Sequence, residues 1–171
     1  MDAIVNKVAE SGIITIDLAN YLPDRDDIIA FDIKPFLFRE MILKEKDFRE
    51  SMKTHYWEGY KGKHTAIYCS ADAIVPVWAY MLIASYLQPF TVSIYFGTAN
   101  ELYNKLVSES ISAIDIKDYA DKRVVLKGCG DKAVPESAYV SATERLRPVV
   151  KSLMYGEPCS TVPIYKQPLK K

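Results

Sequence analysis

No stretch of this sequence is apolar for long enough to cross a bilayer. The longest candidate runs from Ala73 to Leu87, short of the roughly 20 residues a spanning helix needs, and reads as a buried helix. Excess charge is missing too. Lys+Arg and Asp+Glu both number 22, so no overall basic field exists to hold nucleic acid or an anionic membrane, and neither is expected as a partner. The Met1-Asp2-Ala3 start lacks the basic and long apolar regions of a secretory signal. With an odd cysteine count of 3, this leads to the expectation of a cytoplasmic protein with reduced thiols. There is no C-x-x-C pair, so any metal site must be assembled by tertiary structure. Gly128-Cys129-Gly130 lacks the third glycine and the acidic residue of a dinucleotide site. Histidine numbers only 2. His64 lies on the strand that leads to Cys69, roughly 16 Å away at about 3.3 Å per residue and on the opposite face, and is not expected to serve that thiol as base or ligand.

What is present suggests a single α/β domain over residues 1–171, with 49% hydrophobic and 26% charged residues, large enough to bury roughly 70% of its unfolded-chain surface. The β-branched run in Gly12 to Leu18 predicts a strand and Ile28 to Ile33 a second, with the turn-rich Pro23 to Asp27 between them, which suggests an N-terminal β-hairpin. Pro35 opens a short predicted helix through Met41. Lys44 to Lys53 carries Phe48 and Met52 at i, i+4, the spacing of a one-faced helix. Strand and helix then alternate: His64 to Cys69, Ala73 to Leu87, Thr91 to Phe96, Ala99 to Ile114, Arg123 to Lys127, Pro135 to Arg147. Such alternation argues for a mainly parallel sheet with helices on both faces. Pro148 is expected to break the last helix, leaving a short helical piece from Val149 to Tyr155 that ends at Gly156. Glu157 to Tyr165 reads as extended or turn-like.

Each cysteine is followed within six residues by Val-Pro: Cys69 by Val75-Pro76, Cys129 by Val134-Pro135, Cys159 by Val162-Pro163. The first two share a longer frame. Asp72-x-x-Val75-Pro76-x-x-Ala79-Tyr80 and Asp131-x-x-Val134-Pro135-x-x-Ala138-Tyr139 agree at every named position, which suggests a strand, turn and helix used twice. Ligands of open α/β sheets gather beyond the carboxyl ends of parallel strands, where Cys69 and Cys129 are both expected. If the loop around Cys159 closes over them, the three thiolates, with an oxygen from Asp72 or Glu157, suit zinc or an iron–sulfur cluster. Two other readings stand beside this one. The cysteines can be buried fillers in a binding or scaffold protein that forms a homodimer through the apolar helix from Ala73. Alternatively Cys69 or Cys129, just ahead of a helix N-terminus, can be a reactive thiol of an enzyme, though no base accompanies either. Asp72 and Asp131 fit helix N-caps better than ligands, and Glu136 is an oxygen donor by position only. Trp57, Tyr60, Tyr80 and Tyr139 are expected to pack.

Four blocks carry a resemblance: Leu43 to Arg49, Cys69 to Met81, Lys127 to Tyr139, and Met154-Tyr-Gly-Glu-Pro-Cys-Ser-Thr-Val-Pro163. Together they are similar to DUF2480, an uncharacterised bacterial family of unknown function. The resemblance implies a stand-alone bacterial cytosolic protein whose relatives lie beside iron–sulfur assembly genes, an association by which iron–sulfur assembly proteins are candidate partners. It carries over no catalytic residue.

Overall fold

The computed structural model describes residues 12–128, 132–157 and 160–168. The chain divides into two compact units: the first comprises Met1–Pro23 and Asn104–Lys171, the second Asp24–Tyr103.

The second unit holds β2 (Ile28–Asp32), β3 (His64–Tyr68) and β4 (Ser93–Phe96) in a three-stranded parallel sheet, with β3 in the centre. Helix α1 (Glu45–Thr54) precedes β3, and α2 (Val77–Leu87) connects β3 to β4. In the first unit, β1 (Ile13–Asp17), β5 (Arg123–Lys127), β6 (Ser152–Glu157) and β7 (Ser160–Lys166) lie in that order. The first three are parallel, and β7 returns antiparallel along β6. Helix α4 (Glu136–Leu146) connects β5 to β6, and α3 (Ala99–Ser112) runs from one unit into the other. The architecture is thus α/β with two sheets, one parallel and one mixed. The central strands are buried on both faces, at Thr65, Ala66 and Ile67 in β3 and at Val124, Val125 and Leu126 in β5, as parallel strands require.

The two units repeat one another closely. The starts of β3 and β5, of α2 and α4, and of β4 and β6 are each 59 residues apart. The registers agree, since Ile28 pairs with His64 and His64 with Ser93, just as Ile13 pairs with Arg123 and Arg123 with Ser152. On α2 the buried residues are Ala79, Ile83 and Leu87, and on α4 they are Ala138, Ala142 and Leu146, the same three positions. Phe48 and Met52 of α1 recur as Val107 and Ile111 of α3, all four buried. Connecting bonds recur as well: Val92 N–H donates to Lys63 O at 2.8 Å, and Lys151 N–H to Lys122 O at 2.8 Å. The shared Asp-x-x-Val-Pro frame is therefore the visible part of a whole repeated β–α–β unit.

Several expectations need correcting. β1 and β2 do not form a hairpin, because they belong to different sheets and each pairs in parallel, with β5 and β3. Between them Asp17 and Asp24 cap two 3-10 turns, accepting from Ala19 N–H and Asp26 N–H, which replace the tight turn a hairpin needs. Pro35 opens only a 3-10 turn, Lys34–Phe36, after which Phe38 bridges Ile42 around Arg39 and Glu40 at φ 52° and 56°. The segment expected to be helical from Val149 to Tyr155 is mostly β6. Its pairing with β5 and burial of Leu153 outweigh the helical propensity of Leu153 and Met154. Finally, α2 begins at Val77 and α4 at Glu136, with Pro76 and Pro135 as the N-cap residues at ψ 141° and 151°. Proline disfavours the helical conformation in the residue before it, so the helix starts after Pro76 and does not reach back to Ala73, and Asp72 is exposed and caps nothing. Asp131, Cys129 and Cys159 lie outside the described residues.

Candidate functional site

Both sheets carry, at the carboxyl ends of their parallel strands, a polar cluster anchored by an aspartate. β1 and β2 share the pattern Ile-Ile-x-x-Asp, which places Asp17 and Asp32 at matching strand ends. In the second unit Asp32 Oδ1 accepts from Lys34 N–H and Ser70 N–H, both at 3.0 Å, and Oδ2 accepts from the Ser70 hydroxyl at 2.5 Å. Partial burial pushes the Asp32 pKa up, but the bonds from Ser70 and Lys34 outweigh it and hold the carboxyl below its usual 3.8. Cys69 follows β3 directly, is half-buried, and points its Sγ at Ala71 O, 3.6 Å away. Tyr80 of α2 lies beside it; burial first, and then the neighbouring thiol, raise the phenol pKa above 10.0. The Tyr80 ring meets Phe96 edge-on at 5.1 Å.

In the first unit the corresponding edge carries charge. Lys127, the last residue of β5, holds its Nζ 3.8 Å from Asp17 Oδ2 on one side and 3.8 Å from Glu157 Oε1 on the other. Tyr139 of α4 meets Tyr155 of β6 edge-on at 5.5 Å, repeating the Tyr80–Phe96 pair at equivalent positions. Gly128 is required here by space, because a Cβ would collide with the Tyr139 hydroxyl and stand 2.8 Å from Val134 Cγ2. Gly97 and Gly156, again equivalent, follow the aromatic residue at φ 141° and 119°, backbone that favours glycine.

Of the residues singled out as ligands, the structure places Cys69 at the carboxyl end of β3 in the second unit and Glu157 at the end of β6 in the first. Asp72 is exposed between β3 and α2, and Glu136 is exposed at the first turn of α4. His64 sits at the amino end of β3 with Nδ1 2.7 Å from Ser93 Oγ. Among the described residues no group of three His, Cys, Asp or Glu side chains is close enough to hold a metal. Sequence reasoning passed over Asp17, Asp32 and Lys127. The repeated Ile-Ile-x-x-Asp was the signal that could have found the two aspartates. It also paired the cysteines inexactly, since Cys69 matches Gly128 in the repeat, and Cys129 matches Ser70.

A family model described as "Protein of unknown function (DUF2480)" matches residues 2–167. The chain belongs to that family. No curated protein and no solved structure matches it. The match spans both units and every strand of the two edges, so the duplicated fold lies within one DUF2480 region. No helix of the described DUF2480 residues is long and apolar enough to cross a membrane.

Proposed function

We propose that this protein is a non-catalytic metal carrier or assembly accessory whose thiolate site lies at the carboxyl edge of the first unit, with Cys129, Cys159 and Glu157 as ligands to zinc or an iron–sulfur cluster. One observation supports this above the rest: the Lys127–Glu157 contact at 3.8 Å. It joins the ends of the two adjacent strands from which the chain continues, two residues later in each case, to Cys129 and Cys159. Soft thiolates select zinc and iron–sulfur centres, and a carboxylate completes a mixed donor set for zinc. For Glu157 to become a ligand it must leave Lys127, and an ion pair between partly exposed groups at this distance costs little to break. Cys69, in the other unit and out of step in the repeat, is assigned to packing beside Tyr80.

Protein purified without oxygen and analysed for metal tests this reading. Stoichiometric zinc or iron that disappears in Cys129→Ser and Cys159→Ser but persists in Cys69→Ser supports it. Metal-free wild-type protein, or metal unaffected by both first-unit substitutions, refutes it.

A second reading has its own observation. Val77 and Met81 of α2 are 75% and 67% exposed, and Ile74 ahead of the helix is 92% exposed, an apolar stripe suited to self-association as a homodimer. Light scattering of wild type and Met81→Glu decides it: a dimer that becomes a monomer supports the contact, and a wild-type monomer removes it.

A further inference from the structure

The amino ends of the first unit's strands border a cavity of about 650 Å³, a size typical of small-molecule sites. It lies at the opposite end of the sheet from the cysteine-flanking edge. Ile13, Arg123, Ser152 and Lys166 form one row across β1, β5, β6 and β7, and all four line the cavity with Lys151, Asp121, Met154, Pro163 and Tyr165. The floor is therefore apolar and aromatic and the rim mostly cationic, three basic side chains against the single acid Asp121. Among the described residues, Arg123, Lys151 and Lys166 make no ion pair, although seven ion pairs occur elsewhere. A fourth cation, Arg147, already lies over the Tyr165 ring at 4.7 Å.

The internal repeat shows that the fold does not need this charge. Where the first unit has Arg123 and Lys151, the second has His64 and Val92 at the same positions, with the same backbone bond between the connecting segments. Strand β7, which contributes Pro163, Tyr165 and Lys166, follows β6 in the first unit, whereas β4 is followed by α3. One copy of a repeated scaffold has thus been given an apolar floor and an unneutralised cationic rim.

We propose that this cavity binds a small amphipathic anion: one carboxylate, sulfonate or phosphate group held by Arg123, Lys151 and Lys166, on an apolar or aromatic body seated against Met154, Pro163 and Tyr165. The anionic group supplies the countercharge that the rim lacks, and the flat body stacks on surface already shaped by Tyr165.

The probe is 8-anilinonaphthalene-1-sulfonate, titrated by fluorescence against the full chain, with neutral N-phenyl-1-naphthylamine as the uncharged control. Expected is one saturable site, weakened by salt, with affinity for the sulfonate falling roughly tenfold or more in Lys151→Glu/Lys166→Glu. Lys46→Glu, a charge reversal on the exposed side of α1 in the other unit, leaves it unchanged. Both rim lysines are exposed, and matching circular dichroism of the variants separates lost binding from lost folding. If the double variant misfolds, Arg123→Gln carries the same expectation of weakened binding. No saturable binding, equal affinity for the neutral compound, or full affinity in a folded rim variant overturns the proposal.

Discussion

Gly62 and Asp121 occupy the same turn in the two copies, and their difference makes the repeat testable by stability. Both precede a central strand, and both donate the same backbone bond, Gly62 N–H to Phe90 O at 3.1 Å and Asp121 N–H to Val149 O at 2.9 Å. Both are left-handed, at φ 72° and 57°. An L side chain in that region costs about 1–2 kcal/mol, less for Asp, whose short side chain bonds locally. At Gly62 a Cβ meets nothing within 4 Å, so Gly62→Ala carries the backbone term alone, a loss of about 1 kcal/mol. Gly62→Asp should cost less than the alanine, because its equivalent already carries Asp. Asp121→Gly relieves strain and should be neutral or stabilising by up to about 1 kcal/mol. Gly97→Ala is the contrast: it adds to its left-handed backbone a Cβ 2.7 Å from the Tyr95 ring and 2.8 Å from Glu101 Oε2, for a loss of about 3 kcal/mol when strain and overpacking are combined. Urea unfolding with the slope held constant measures all four. A Gly62→Ala loss as large as that of Gly97→Ala, or an Asp121→Gly destabilisation above about 1 kcal/mol, would contradict a shared left-handed turn.

Leu87 and Leu146, both fully buried at equivalent helix ends, should each lose about 2–5 kcal/mol on truncation to Ala, and by similar amounts, in chemical denaturation; a loss below about 1 kcal/mol at either site contradicts the packing. Burial lowers the His55 pKa below its usual 6.5 within the rings of Phe31, Trp57 and Tyr60. Because the unfolded chain then binds the proton more readily, stability contributed by neutral His55 is complete above pH 6.5 and is lost as pH falls towards the folded value. Melting temperature followed from pH 7.5 to 5 in wild type and His55→Gln should show a smaller decline in the variant. Asp32 has the same sign at lower pH: its folded pKa lies below 3.8, so its contribution stands above 3.8 and disappears as pH drops through the folded value. Asp32→Asn, which weakens the solvent-screened bonds from Ser70, should cost about 1 kcal/mol at neutral pH and nearly nothing in strong acid.

The strands and helices that sequence patterns revealed best were those whose local signal and tertiary role coincide. Phe48 and Met52 mark the buried face of α1, and the β-branched runs of β1 and β5 become paired strands. The misreadings came where a long-range contact decided. Ser152–Glu157 becomes a strand because β5 is beside it, and the hairpin fails because β1 and β2 find partners far away in the chain. The repeat was visible at five positions around each proline. Its full extent was hidden because burial, which Ala79 and Ala138 share with Ile83 and Ala142, tolerates different apolar residues. At the carboxyl edges, Glu157 was singled out by its nearness to Cys159, and Lys127 was passed over because a single charged residue ending a strand has no local pattern, while Asp17 and Asp32 show only in the repeat of Ile-Ile-x-x-Asp.

X-ray absorption at the zinc edge of zinc-loaded protein decides whether the first unit's edge holds the metal. Two sulfur neighbours at about 2.3 Å with lighter oxygen or nitrogen donors beside them, reduced to one sulfur in Cys159→Ser, is the predicted result. Three sulfurs with Cys69 among them, or none, would contradict a site built on the first unit's edge.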